Sequence, residues 1–486
     1  MRSLPLLVGL AFLVSSCGGS VDSEIDALQQ RIEELEAREK ADSIVSSTAT
    51  TTESTAAVTT MTTTTVALAT AAVTSTTQLV SDQTTTSIPD DAGEEAASEQ
   101  VVPYMPPTEP SEDASLCELK DLWRGPNDPV RVGFPRPTDN VSPEGTTKYA
   151  LVPIDFPDAA GEPWEIEEAA NAARGATDYY REVSDGRFEV EWVLSDVFTR
   201  LSKPSVDYDP TVGNPWGSKN PWGVALSEEI IDLVDPHLDF TGVAAIFFYL
   251  PKATPSDAII NIRGWGHLAL EGAHNTDEGS VLFAHGAPST EGTRVNHAWL
   301  LAHEIGHTLG PLDLYVFPAT GDDLESLPMG EWGVMSSYHG PAKSMTAWNR
   351  WLIGWLEPES VYCRSAASVS SVEFTLRPLV LTGTGFRTAI VSLDEHTAVV
   401  VESRRGLGVD WRLGDHAGIL VYTVDTSVGQ HRGPLHVQVP EGRSLGRFAG
   451  IGWPDALLRV GDSVTALGLT VELVESGEYD RVRISR

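Results

Sequence analysis

His303-Glu304-Ile305-Gly306-His307-Thr308-Leu309-Gly310-Pro311-Leu312-Asp313 sets two histidines, two acids and a helix stop in one short stretch. On a helix, residues four apart share a face, so His303 and His307 point the same way. Two neutral imidazoles suit Zn²⁺. Glu304 lies beside them, placed to take a proton from a water on that ion. Gly310 permits the positive φ that ends a helix, and Pro311 cannot extend the hydrogen-bond ladder. Asp313 can then return as third ligand. Three protein ligands plus a water is the arrangement of a catalytic zinc, not of a closed structural one. The preceding residues 298–302 (AWLLA) read as a buried helix. Histidines and a glutamate in such a run are costly without a partner, which favours a metal over an ordinary amphipathic helix. Glu331 and Glu402 are acidic alternatives for the third ligand, but neither has the spacing of Asp313.

With these residues in view, the segment from His303 to Tyr315 resembles the immune-inhibitor-A type of secreted zinc metallopeptidase, a metzincin-like family. Further stretches resemble it in order. Residues 151–158 (LVPIDFPD) are similar to its first core strand, and residues 179–186 (YYREVSDG) to its helix end. Residues 332–336 (WGVMS) resemble its Met-turn, and residues 344–356 the helix that follows. The resemblance implies a zinc endopeptidase with Met335 beneath the metal. Relatives often place an oxyanion-stabilising Tyr soon after that Met; Tyr338 stands one residue later than the commonest spacing, with His339 as a second candidate. Structural Ca²⁺ is also implied, with Asp207, Asp209, Asp322 and Asp323 in acidic loops that suit it. Residues 418–425 (GILVYTVD) resemble the strand after the family's catalytic core, but Thr423 stands where the family usually has His.

The chain has 486 residues and a formal net charge of -36, from 33 basic and 69 acidic residues. That balance excludes nucleic acid as a partner and fits an extracytoplasmic protein. Arg2 followed by apolar residues 4–14 is too short to span a bilayer and reads as an export signal over 1–16. Residues 14–17 (VSSC) resemble a bacterial lipobox, with Cys17 lipidated and anchoring the chain to the membrane; the other reading is a plain signal peptide and a secreted protein. Val21, Ile25, Leu28, Ile32 and Leu35 space 4-3-4-3, a short coiled-coil-like helix within 17–43. Residues 44–110 are Thr/Ser-rich, then acidic and Pro-rich. Such a segment cannot bury enough apolar area to offset its ordering entropy, so it reads as a disordered stalk.

Three Cys are too few for a disulfide scaffold. Beyond Cys17 there are Cys117 and Cys363. Two readings stay open: a disulfide in an oxidising exterior, or Cys117 held on the zinc in a latent form. After a lead at 111–147, the fold class expected for 148–360 is an α/β metzincin-like catalytic domain, with strands and helices preceding the metal helix. The loop 251–294 carries His267, His274 and His285, none in a ligand spacing. Residues 361–486 alternate as strands broken by Gly and Asp turns, expected near 372–376, 388–393, 398–402, 419–424 and 469–484, and read as a C-terminal β-rich, sandwich-like lobe.

Two functions follow from different classes. One is an exported zinc endopeptidase, with a protein or peptide substrate, ligands His303, His307 and Asp313, and Glu304 as general base and then acid. The other is a non-catalytic surface binding protein on the same shell. The intact set of His303, Glu304 and His307 favours the enzyme, because a binding module has no use for a general base.

Overall fold

A computed structural model describes residues 102–123, 130–208, 221–255, 274–283, 297–316, 327–337, 342–443 and 453–486. The signal, Cys17, the short helix and most of the stalk lie outside them, as do Tyr338, His339, Asp209, Asp322, Asp323, His267 and His285.

Strand β1 (Gly145–Asp155) is the axis of the first sheet. It pairs in parallel with β2 (Phe188–Leu194), β3 (Thr199–Arg200) and β4 (Val243–Tyr249). Beyond β4 the sheet continues through β6 (Gly279–Phe283), which forms a hairpin with β5 (His274–Thr276). The hairpin comes from the inserted loop and carries His274 in its backbone. Successive side chains of a strand face opposite ways, and both faces are apolar. Tyr149 and Leu151 join one core with helix α1 (Pro163–Val183) and the histidine-bearing helix α3 (His297–Leu309). Ala150, Val152 and Ile154 join a second core with helix α2 (Pro221–Val234). Helix α1 begins with Pro163, and the Glu162 amide donates to Glu165 Oε2 at 2.7 Å. It stops where Asp185 and Gly186 turn to φ 56° and 77°. Gly175 lets it approach α3, since a Cβ there would lie 2.6 Å from that of Ala298.

The C-terminal lobe is two antiparallel-dominated sheets. One orders β12 (Leu435–Val437), β11 (Ala417–Asp425), β10 (Thr397–Arg405), β9 (Thr388–Ser392) and β7 (Val361–Ser365). The other orders β13 (Ser463–Ala466), β14 (Leu469–Ser476), β15 (Asp480–Ser485) and β8 (Ser371–Leu376). Val399 and Val401 of β10 face the second sheet, while Val400 faces the core around helix α3. The change of character near residue 360 is therefore a change of secondary structure and not a break in the core. The described residues belong to one compact unit.

One expectation for the N-terminal side changes. Residues 102–110 do not continue the stalk. The Thr108 amide donates to Glu373 O at 2.9 Å, and the Thr375 amide donates to Met105 O at 3.3 Å, so this stretch runs along β8. Backbone pairing supplies the ordering that its composition does not. The lead after it packs against the catalytic half. Its carbonyls at Cys117, Val132 and Pro143 accept from the indoles of Trp351, Trp348 and Trp355, in and just after helix α4 (Ala347–Ile353). Cys117 is bonded to Cys363 on β7, so its sulfur is not offered to a metal.

Candidate metal centre

From Leu300 onward helix α3 is buried on every side. Leu301, Ala302, Ile305 and Leu309 lie in the core, and His303, Glu304, His307 and Thr308 are buried as well. A helix end leaves carbonyls without partners, and here the lead supplies them. Val141 N donates to Thr308 O at 3.2 Å, Arg136 Nη1 to Leu309 O at 3.3 Å and Arg131 N to Gly310 O at 2.8 Å. Gly310 has φ 118°, the turn that sends the chain back across the helix.

Asp313 returns to the two histidines. Its Oδ1 lies 3.0 Å from His303 Nε2 and 3.3 Å from His307 Nε2. Each imidazole is oriented through its other nitrogen. His303 Nδ1 donates to Val334 O at 2.8 Å, and His307 Nδ1 to Pro311 O at 2.9 Å. That fixes the tautomer and turns both Nε2 lone pairs inward. Asp313 Oδ1 and Glu304 Oε2 are buried and accept no hydrogen bond among the described residues. Ligand-type atoms of His303, His307 and Asp313 thus converge on one point, which is the chemistry of a cation site. Zn–N and Zn–O bonds of about 2.0–2.2 Å put tetrahedral ligands roughly 3.3 Å apart, close to the separations at Asp313. Ligand atoms of His303, Glu304 and His307 also lie within 4.8 Å of one another, so Glu304 reaches the same point from the side. The donor set fits zinc.

Electrostatics agree with a buried site that wants positive charge. Burial pushes the Glu304 carboxyl up to about 8; His303 opposes this and the Asp313 charge adds to it. Burial acts on Asp313 in the same direction, but His307 and the other imidazoles around it outweigh burial and hold that carboxyl well below its usual range. His307 is raised, because Asp313 outweighs the effect of burial.

Met335 packs beneath the helix. A Cβ on Gly306 would overlap its Sδ, so the glycine between the two histidines is the space the methionine fills. Leu314 N donates to Met335 O at 3.0 Å and ties the returning strand to this turn.

The alternatives for the third ligand lie elsewhere. Glu402 is fully buried on β10, accepts from Ala347 N at 2.6 Å and pairs with Arg404. Glu331 is half-buried, its carboxyl raised by burial against the pull of Lys343. Neither joins the group around His303; among the described residues that group is the one metal-capable cluster. Asp207 sits in a short 3-10 turn, Ser205–Asp207, outside any such cluster.

Three residues not anticipated from sequence complete the surroundings. Gln430 and His431 contact Asp313 from the C-terminal lobe. The Tyr315 ring lies near-parallel to those of His303 and His431, with centroids 6.3 Å and 5.3 Å away. No local signal marks them, since the first two stand over a hundred residues downstream in a turn without motif spacing.

No family model matches the chain, and no curated protein matches it. Solved structures that align with it include metalloproteinase-II from Bacteroides fragilis, at 15% identity and a TM-score of 0.23 over 48% of this chain. The chain spans 59% of that protein's length. Wild-type OgpA from Akkermansia muciniphila aligns in two crystal forms, at 11% and 12% identity. Both alignments have a TM-score of 0.23 and cover 71% of this chain, with 95% and 94% of those chains.

Proposed function

We propose that this chain is an exported zinc-dependent endopeptidase with a metzincin-like catalytic half, in which His303, His307 and Asp313 hold the metal. The observation that carries the reading is the convergence of two inward imidazole nitrogens and an Asp313 oxygen that accepts no hydrogen bond among the described residues. When bound, the metal supplies Lewis acidity to a water and to the scissile carbonyl. Glu304 takes the proton of the attacking water and returns it to the leaving amine nitrogen. The backbone carbonyls of Val334 and Pro311 keep both imidazoles in the ligating tautomer throughout. Hydrolysis of casein by the purified full chain is expected to fall to background with 1,10-phenanthroline and to return on adding Zn²⁺. Hydrolysis that persists after metal analysis shows the protein stripped would sink the proposal. A zinc-loaded protein without hydrolysis on any peptide library would favour the non-catalytic surface binder.

We take Cys17 as a lipid anchor, on the strength of residues 4–17, which places the activity at the outer face of the membrane. Fractionation of cells is expected to find the wild type with membranes and Cys17→Ser released or unprocessed. Equal partition of both into the medium would make the protein simply secreted.

A further inference from the structure

We propose that Gln430 and His431, from the C-terminal lobe, are positioning residues that aim Asp313 at the metal, so that the centre is completed across the two halves of the fold. The proposal rests on the reading of His303, His307 and Asp313 as ligands. The two oxygens of Asp313 have different surroundings. Oδ2 accepts from Gln430 Nε2 at 2.8 Å and meets His431 Nε2 at 2.8 Å. An ionised carboxylate only accepts, so His431 presents an N–H there. Oδ1 is the oxygen facing the two imidazoles. The terminal torsion of an Asp side chain is soft and has no sharp rotamer wells. Two donors on one oxygen remove that freedom and leave the other pointing inward. Outer hydrogen bonds of this kind orient ligands and tune their affinity for metal.

The turn that carries both donors is itself held from several sides. His431 has φ 61°, a left-handed conformation uncommon for a residue with a side chain. Such conformations persist where the surroundings over-determine them. Arg432 forms a β-bridge with Val316, three residues past Asp313. A Cβ on Gly429 would overlap the Trp123 indole, and Leu122 N donates to Thr426 O at 3.1 Å. The lead therefore backs the turn on one side, while the Tyr315 ring lies against the His431 imidazole on the other.

The test is the zinc dissociation constant of the full chain, measured by competition with a chromophoric chelator, beside the visible spectrum of the Co²⁺-loaded protein. His431→Ala and Gln430→Ala are each expected to weaken zinc about 10- to 100-fold and to change the cobalt spectrum. His431→Gln, which keeps a donor, should restore most of the affinity. Gln430→Glu preserves size and packing but removes the donor, and should weaken zinc even where an alanine variant fails to fold by circular dichroism. Wild-type affinity and spectrum in folded Gln430→Glu and His431→Ala, with affinity lost in Asp313→Ala, would overturn the positioning role and leave the ligand reading standing. Wild-type affinity in Asp313→Ala would overturn both.

Discussion

Glu304→Gln is expected to retain zinc and to lose about 10²- to 10⁴-fold in peptide hydrolysis, the usual contribution of a positioned acid–base group. The substitution is nearly isosteric, so the packing of α3 should survive. Glu304 Oε2 is buried and accepts no hydrogen bond among the described residues, so no structural bond is broken by the exchange. The atoms proposed as ligands, His303 Nε2, His307 Nε2 and Asp313 Oδ1, are untouched. Metal analysis and casein turnover on the same preparation separate the outcomes. Hydrolysis equal to wild type excludes Glu304 as the base. Loss of the metal together with activity would make Glu304 a ligand instead, which its place within 4.8 Å of the two histidine ligand atoms makes a real alternative.

Arg404→Met should cost about 3–5 kcal/mol of unfolding free energy, the range for stripping one partner from a buried ion pair. Arg404, Glu402 and Asp410 are all fully or nearly fully buried. Arg404 Nε donates to Glu402 Oε1 at 2.7 Å and Nη1 to Asp410 Oδ2 at 2.8 Å. The two acids in turn receive backbone amides at 2.6 Å from Ala347 and 2.7 Å from Ser344. Removing the guanidinium leaves two carboxylates buried with no cation between them. Arg404 also lies over the Trp332 ring at 6.0 Å, so the loss falls beside the turn that carries Met335. Urea denaturation gives the value. The triple change Arg404→Met, Glu402→Gln, Asp410→Asn should recover much of it, since the neutral set has no charge to strand. A cost under about 1 kcal/mol for Arg404→Met would show that water or protonation compensates the acids.

Glu402 shows where residue type alone misleads. As an acid after the metal motif it reads as a candidate ligand, yet an arginine two positions along the same strand claims it. Strand alternation puts Glu402 and Arg404 on one face of β10, so the acid meets a guanidinium there. Residues 102–110 are a second case. Their acidic and Pro-rich composition says that they cannot build a core of their own. It says nothing about adding to an existing sheet, where β8 supplies the backbone partners.

The legible part of the site is the part that local geometry fixes. His303, Glu304 and His307 lie within one helical turn, so the 3.6-residue period alone brings them together. Gly310 and Asp313 follow within a few residues, and a single positive-φ turn returns the chain. Strand alternation is equally local, and most strands of the C-terminal lobe fall close to where the apolar pattern places them.

Sequence by itself therefore placed the helix, its two imidazoles, the glutamate beside them and the acid beyond the stop. Tertiary structure alone decided what orients them. The Val334 carbonyl on His303 comes from the Met335 turn, the caps on α3 come from the lead, and the donors on Asp313 come from Gln430 and His431. These contacts join residues that no helical or strand period relates. Their pairing follows from how the sheets and helices stack around one continuous core, and that stacking is a property of the whole chain.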